Sequence, residues 1–189
     1  MPKRQSSPSI YVALLRGVNV GGKNMVSMRA LKERFEALEL DEVSTYINSG
    51  NVLFRAGTPD ARALEERIDL MLSRDFGLKG RTVVRNDAEM TRIVRTMSRV
   101  WTGDPAWRYN VIFLRHSVDP KRALEGIEIE PELERVVICP AALLWSARID
   151  GLTRTAMLKL ASRPVYQDMT VRNANTTRKL LELMRAMRT

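Results

Sequence analysis

The residues most able to bind a ligand lie in the stretch RGVNVGGKN, which follows a short apolar run near the beginning of the chain. Gly17, Gly22 and Lys23 have the spacing of a phosphate-binding P-loop, but that motif requires Ser or Thr in the next position, where this chain has Asn24. The helix that follows also begins too late for its N-terminal amides to face a phosphate. The pattern therefore argues against a nucleotide hydrolase.

The same loop has the composition of an anion-binding turn. Its glycines let backbone amides approach a ligand or adopt positive φ, and the basic and amide side chains around them are hydrogen-bond donors. The candidate ligand-binding residues of this loop are Arg16, Gly17, Asn19, Gly21, Gly22 and Lys23. A flexible turn with solvated charges explains these residues equally well.

A second donor-rich motif, VRNANT, precedes the last predicted helix. Arg172 and Asn173 are expected at the N-terminus of that helix, with Asn175 or Thr176 as its cap. The positive end of the helix dipole would then add to Arg172 in attracting an anion. An ordinary capped helix with a surface arginine is the alternative interpretation.

Side chains that hold metals or act as nucleophiles are scarce in this chain. Cys139 is the only cysteine and His116 is the only histidine, which excludes an internal disulfide, a cysteine zinc site and a multi-histidine metal site. Cys139 lies within an apolar run, as buried thiols do, and His116 follows one, which is typical of a loop residue. We therefore expect no metal and no cofactor.

Apolar periodicity predicts the same order of elements twice. In the first half, strands are expected at 10–15, 42–47, 51–56 and 81–85, and helices at 28–40 after the cap Ser27 and at 59–76 after the cap Thr58. In the second half, strands are expected at 109–115, 134–139, 142–149 and 167–172, and helices at 120–127 and 154–162. Further helices are expected at 88–100, capped by Asn86 or Asp87, and at 176–187.

This order predicts an α+β protein with two ferredoxin-like βαββαβ halves, each an antiparallel sheet with helices on one face. The expected organisation is a disordered basic tail at 1–8, an N-terminal ferredoxin-like domain at 9–86, a connecting helix and linker at 87–104, and a C-terminal ferredoxin-like domain with a terminal helix at 105–189. The apolar surfaces of the two halves are expected to pack together. No apolar stretch approaches the roughly 20 residues needed to span a bilayer, so a cytoplasmic protein is expected.

Three motifs resemble a bacterial family catalogued as domain of unknown function 1697. They are YVALLRGVNVGGKNMVSM, YINSGNVLF with its predicted hairpin, and the late VRNANT. The resemblance extends from Ile10 to Leu183 and implies paired ferredoxin-like domains, but no activity. Its signature positions are Arg16, Gly17, Asn19, Gly21, Gly22, Ser49, Gly50, Asn51, Arg172, Asn173, Asn175 and Thr176. Ala174 replaces the tryptophan that the family usually has, which would change a pocket that used that ring.

Two classes of function fit these observations. Many hydrogen-bond donors lie in predicted loops and strand ends, and no general base is evident among them, which favours binding of a small anionic ligand over acid–base catalysis. The residues expected to bind this ligand are those of the glycine-rich loop with Asn51, Arg172 and Asn173. The net charge of +9 favours the alternative, a nucleic-acid-binding protein without sequence readout. A purely structural partner protein is a third interpretation. The sequence does not decide whether the protein is an enzyme.

Recognition of RNA bases by the first predicted sheet is disfavoured. Tyr11 could lie on the open face of that sheet, as in RNA-recognition domains. The matching strand, however, places Asn51 and Leu53 where two aromatic rings belong. We expect this face to be buried against the other half.

Overall fold

The computed structural model describes residues 8–19, 25–58, 60–79 and 81–188. Its first half contains six elements in the predicted order: β1 (Ser9–Leu14), α1 (Met28–Glu36), β2 (Asp41–Tyr46), β3 (Asn51–Ala56), α2 (Ala61–Phe76) and β4 (Val83–Asn86). The strands form a four-stranded antiparallel sheet in the order β2-β3-β1-β4.

The second half repeats this arrangement after the connecting helix α3 (Asp87–Val100). Its elements are β5 (Trp107–Leu114), α4 (Pro120–Ala123), β6 (Glu134–Cys139), β7 (Ala142–Arg148), α5 (Met157–Ala161), β8 (Met169–Asn173) and the terminal helix α6 (Ala174–Ala186). The sheet order is β6-β7-β5-β8, again antiparallel. The prediction of two ferredoxin-like halves is confirmed.

The sheets and helices form layers, with α3 and α6 in the middle. These two helices contact each other and strands of both sheets. The inner faces of the two sheets therefore share one core with α3 and α6, in which Val12, Phe113, Met90 and Leu180 are all buried. The outer face of the first sheet packs against α1 and α2, and that of the second against α4 and α5.

The position of Tyr11 corrects one prediction. Tyr11 lies on the face of the first sheet that packs against α1 and α2. Its ring stacks on Phe54, with ring centroids 5.7 Å apart. Ile10 and Val12, its neighbours along β1, occupy the other face and are buried in the middle core. That face is covered by α3 and α6, so it offers no open platform for bases.

Several helix boundaries also differ from the prediction. Asp60, not Thr58, caps α2, because its carboxylate accepts hydrogen bonds from the amides of Arg62 and Ala63 at 3.0 and 3.1 Å. Asn173, not Asn175 or Thr176, caps α6, so this helix begins two residues early. The helices α4 and α5 are shorter than predicted.

Two of the predicted helix caps and the predicted hairpin are confirmed. Ser27 caps α1, and Asn86 caps α3 in a capping box with Glu89. In the hairpin between β2 and β3, Gly50 adopts φ +73°. A second positive φ in this turn is at Ile47. Within the described residues, no helix is long and apolar enough to cross a membrane.

Candidate functional site

Arg172 is buried at the boundary between the two halves. It lies on β8 and reaches across to the end of β1 and to the hairpin of the first half. Its guanidinium donates six hydrogen bonds, to Oδ1 of Asn51, Oγ1 of Thr170 and the main-chain oxygens of Leu15, Ser49, Gly50 and Val171. Burial lowers the pKa of Arg172 to about 10, so the side chain carries its charge at neutral pH. The alternative interpretation of Arg172 as a surface arginine is therefore wrong.

Arg16 directly follows Leu15, whose oxygen Arg172 binds, and makes the converse contact, from the first half to the second. Its Nη1 donates to the main-chain oxygens of Tyr166 and Met169, the latter at 2.9 Å. The guanidinium carbon lies 4.5 Å from the centre of the Tyr166 ring, which is a cation–π contact. The structure thus brings together Arg16 and Arg172, which sequence analysis had placed in one hypothetical site.

Asn19 and Asn51 hold the backbone around the two arginines. The Asn19 side chain exchanges hydrogen bonds with the amide and carbonyl of Val26 at 2.7 and 3.0 Å, and it also donates to Asn48 O. Asn51 is fully buried; its Nδ2 donates to Tyr46 O and Ser49 Oγ, both at 3.1 Å. Both asparagines therefore act as structural supports. The other predicted loop residues, Gly21, Gly22 and Lys23, lie outside the described residues.

A second pair of arginines repeats the same contacts with the halves exchanged. Arg85 on β4 donates through Nη2 to the oxygens of Leu114 and Ala141 in the second half. Arg115, directly after β5, donates through Nη1 to Thr82 O in the first half at 3.2 Å. We refer to Arg16 and Arg172 as the first arginine cluster, and to Arg85 and Arg115 as the second.

The backbone register shows that the two clusters are equivalent positions of the repeated fold. Leu15 N donates to Gly50 O, and Leu114 N donates to Ala141 O, so the end of β1 corresponds to the end of β5. Arg172 of the second half donates to the oxygens of Leu15 and Gly50. Arg85 of the first half donates in the same way to the oxygens of Leu114 and Ala141. The two halves are thus fastened by reciprocal arginines around a pseudo-two-fold axis.

The clusters differ in their counter-ions. In the second cluster, the buried carboxylate of Glu65 lies 3.7 Å from both Arg85 and Arg115, and Asp69 forms a further ion pair with Arg115. Around the first cluster, no carboxylate of the described residues lies within 4.0 Å of either guanidinium. Among the described residues, the hydrogen-bond acceptors of these two cations are main-chain and neutral side-chain oxygens.

Asn173 belongs to a different surface from Arg172, although the two are neighbours in sequence. Its Oδ1 accepts from Thr176 N at 2.7 Å and caps α6. Its side chain lines a cavity of about 340 Å³ together with Ala174 and Trp107. Ala174, which replaces the tryptophan expected from the family resemblance, is largely buried at the wall of this cavity.

The family model described as protein of unknown function (DUF1697) matches residues 9–143. The chain belongs to this family. No curated protein sequence matches it. A solved structure of a conserved bacterial protein from Streptococcus pneumoniae is 25% identical with a TM-score of 0.83, covering 95% of this chain and 99% of that chain.

The DUF1697 protein also contains a titratable group that sequence analysis assigned to an ordinary loop. His116 follows Arg115, and its two ring nitrogens face two carboxylates: Nδ1 lies 3.0 Å from Glu65 and Nε2 lies 3.1 Å from Glu89. Arg85 lies against the same ring at 3.3 Å, and Arg62 donates to the His116 carbonyl. Only a doubly protonated ring donates to both carboxylates.

The hydrogen bonds to Glu65 and then to Glu89 raise the pKa of His116 above its ordinary value, against the opposing effects of burial and Arg85. A histidine whose pKa is higher in the folded than in the unfolded protein stabilises the fold when it is protonated. This stabilisation is fully present below the pKa of the unfolded state, about 6.5, and is lost as pH rises through the pKa of the folded state. We therefore expect the stability difference between wild type and His116→Gln to be largest below pH ~6.5 and to shrink at higher pH. Urea unfolding at a series of pH values measures it; a constant difference would contradict this protonation.

The remaining nucleophile shows no sign of activation. Cys139 is buried, and burial raises the pKa of its thiol to about 11, so the prediction of a buried, unreactive cysteine fits its surroundings. In the described part of the chain, no group of histidine, cysteine and carboxylate side chains has the arrangement of a metal site.

Sequence analysis missed the second arginine cluster, although the DUF1697 chain carries a signal for it. Leu-Arg follows the first strand of each half, at Arg16 and at Arg115. Val-Arg-Asn ends the last strand of each half, at Arg85 and at Arg172. A search for repeated tripeptides at equivalent places in the two predicted halves would have paired these arginines.

Proposed function

We propose that this protein is cytoplasmic and binds a small anionic ligand at the first arginine cluster. The observation that carries the proposal is the contrast between the two equivalent clusters. Glu65 and Asp69 neutralise the second cluster, whereas among the described residues the first has two cations and no carboxylate partner. Charges removed from water require compensation, and an anion supplies it.

Arg16 is the residue that contacts the ligand in this proposal. Its side chain is half-buried, and within the described residues only Nη1 has hydrogen-bond acceptors. The Nε–H and one Nη2–H of a guanidinium are parallel, so they form a fork that matches two oxygens of a carboxylate or phosphate. The Tyr166 ring beneath the guanidinium reduces the entropy lost when this fork binds a ligand.

Arg172 contributes its charge to this site without a direct contact. All five of its N–H groups are used within the protein, so it acts through the electrostatic potential behind Arg16. The glycine-rich segment containing Gly21, Gly22 and Lys23 begins close to Arg16 in the chain. Contact between these three residues and the ligand stays a prediction from the sequence.

Calorimetric titration with inorganic phosphate, pyrophosphate and acetate, at constant ionic strength, tests the proposal. We expect Arg16→Gln to weaken binding of the preferred anion by about tenfold or more, because a charge-assisted hydrogen bond is lost. Arg29→Gln is the matched control, since the Arg29 side chain is 89% exposed and its ion pair is with Glu33 on the same helix. Equal affinities in wild type and Arg16→Gln, or no binding of any of the three anions, would contradict the proposal.

The alternative function, binding of nucleic acid through the basic surface, predicts a different result. Oligonucleotide binding would fall steeply between low and moderate salt, because each neutralised phosphate releases counter-ions. It would also survive Arg16→Gln, since one charge among many is lost. That pair of observations would assign the function to the surface as a whole.

A further inference from the structure

A groove with partly exposed aromatic rings lies where the middle layer ends, away from the first arginine cluster. Trp101, directly after α3, and Tyr109 on β5 have ring centroids 5.1 Å apart, and Trp107 lies two residues before Tyr109 on the same strand. All three rings are only half-buried. They line the cavity of about 340 Å³ and a neighbouring recess of about 170 Å³. We refer to the two together as the aromatic groove.

The aromatic groove is rich in cations. Arg108 and Arg178 line its larger part, and Arg135 lies over Trp107 with its guanidinium carbon 4.8 Å from the ring centre. Within the described residues, none of these three arginines forms an ion pair. Asp104 is the carboxylate of the lining, and it accepts a hydrogen bond from Ala106 N.

One edge of the groove also lacks a neighbouring strand over part of its length, where Trp107 N donates to Asp104 O at 3.0 Å. The pairing of β8 with β5 ends at Asn173 opposite Asn110, although β5 begins at Trp107. Among the described strands, no partner covers the β8 side of β5 over 107–109. Backbone groups of such an edge can bind the polar edge of a planar ring that lies against the aromatic side chains.

From these features we propose that the aromatic groove binds a nucleoside monophosphate. The base stacks on the exposed face of Trp101 or Tyr109, whose ring planes are inclined at 47° to each other, and Trp107 with the Arg135 guanidinium over its ring closes the groove beside them. The phosphate binds Arg178, whose charge has no carboxylate partner among the described residues. The larger cavity alone is of the size that small-ligand sites occupy, roughly 300–1,000 Å³. This site is independent of the anion site proposed at Arg16.

Tryptophan fluorescence during titration with adenosine monophosphate tests the inference, because two of the three tryptophans lie in the groove and Trp145 is buried in the outer core. We expect quenching by adenosine monophosphate, about tenfold weaker affinity for adenosine, and no quenching by inorganic phosphate. Arg178→Gln should weaken binding of adenosine monophosphate by about tenfold. Arg122→Gln, on α4 at the opposite face of the second sheet, is the matched control.

Three outcomes would overturn the inference. The first is unchanged fluorescence of the wild type when adenosine monophosphate is added. The second is an affinity for adenosine monophosphate that equals that of the wild type in Arg178→Gln and in a second variant, Arg135→Gln. Single-stranded oligothymidylate could also bind where the mononucleotide does not, which would assign the groove to a polynucleotide. Arg16→Gln must leave adenosine monophosphate binding intact, so failure of the Arg16 proposal and failure of this one are distinguishable.

Discussion

Replacing Arg172 with alanine is expected to lower the free energy of unfolding by about 3–5 kcal/mol, the largest effect of any single substitution considered. The guanidinium is the shared donor for the end of β1 and for the hairpin between β2 and β3. Its removal leaves the buried Oδ1 of Asn51 without its donor, and it leaves Leu15 O and Gly50 O with one donor each. A buried polar group without a partner costs about 1–3 kcal/mol. The cavity left by the side chain adds to this loss.

Urea unfolding of wild type, Arg172→Ala and a control measures this effect. Arg178→Ala is the matched control, because Arg178 is an exposed arginine on α6 whose hydrogen bond to Asn175 is long, at 3.4 Å. We expect the control to lie within about 0.5 kcal/mol of wild type. A loss below about 1 kcal/mol for Arg172→Ala would show that the arginine does not fasten the two halves.

Gly50→Ala is expected to destabilise the protein by about 3 kcal/mol, the second largest effect. Gly50 adopts φ +73°, a conformation that costs an L-residue about 1–2 kcal/mol. A Cβ atom at this position would lie 2.7 Å from Leu15 Cβ, so the end of β1 must also shift. That shift would disturb the oxygens that Arg172 binds.

Gly77→Ala separates the two contributions. Gly77 ends α2 with φ +64°, but a Cβ atom there meets nothing within 4 Å. The backbone cost alone is then expected, about 1 kcal/mol. Equal losses of stability for Gly50→Ala and Gly77→Ala, measured by thermal or urea unfolding, would contradict the steric part of the account.

The order of elements was predictable because each signal is local. The continuous apolar run of β1 follows from burial of both faces of the strand, and the helical spacing of apolar residues in α1 follows from the one face that meets a core. The errors at the start of α2 and α6 have a local cause as well. Each segment contains several side chains that can cap a helix. Asp60 and Asn173 are the caps because the backbone that follows each of them is already helical.

The role of the candidate site residues was not predictable in the same way. Arg172 and Asn173 are adjacent, yet one is buried at the boundary between the halves and the other caps an exposed helix end. The acceptors of Arg172 include Leu15 O, which is 157 positions away in the chain. The concentration of hydrogen-bond donors in two sequence motifs therefore identified Arg16 and Arg172. It could not show that most of the donors of these two side chains bind backbone oxygens.

The central claim is that the first arginine cluster accepts an anion through the free edge of Arg16. The most direct measurement is the anomalous difference map of crystals soaked in selenate, for wild type and for Arg16→Gln. The account predicts a selenium peak whose oxygens lie about 3 Å from Nε and Nη2 of Arg16 in wild type, and no peak there in the variant. A wild-type map without that peak, or a peak that persists unchanged in Arg16→Gln, would contradict it.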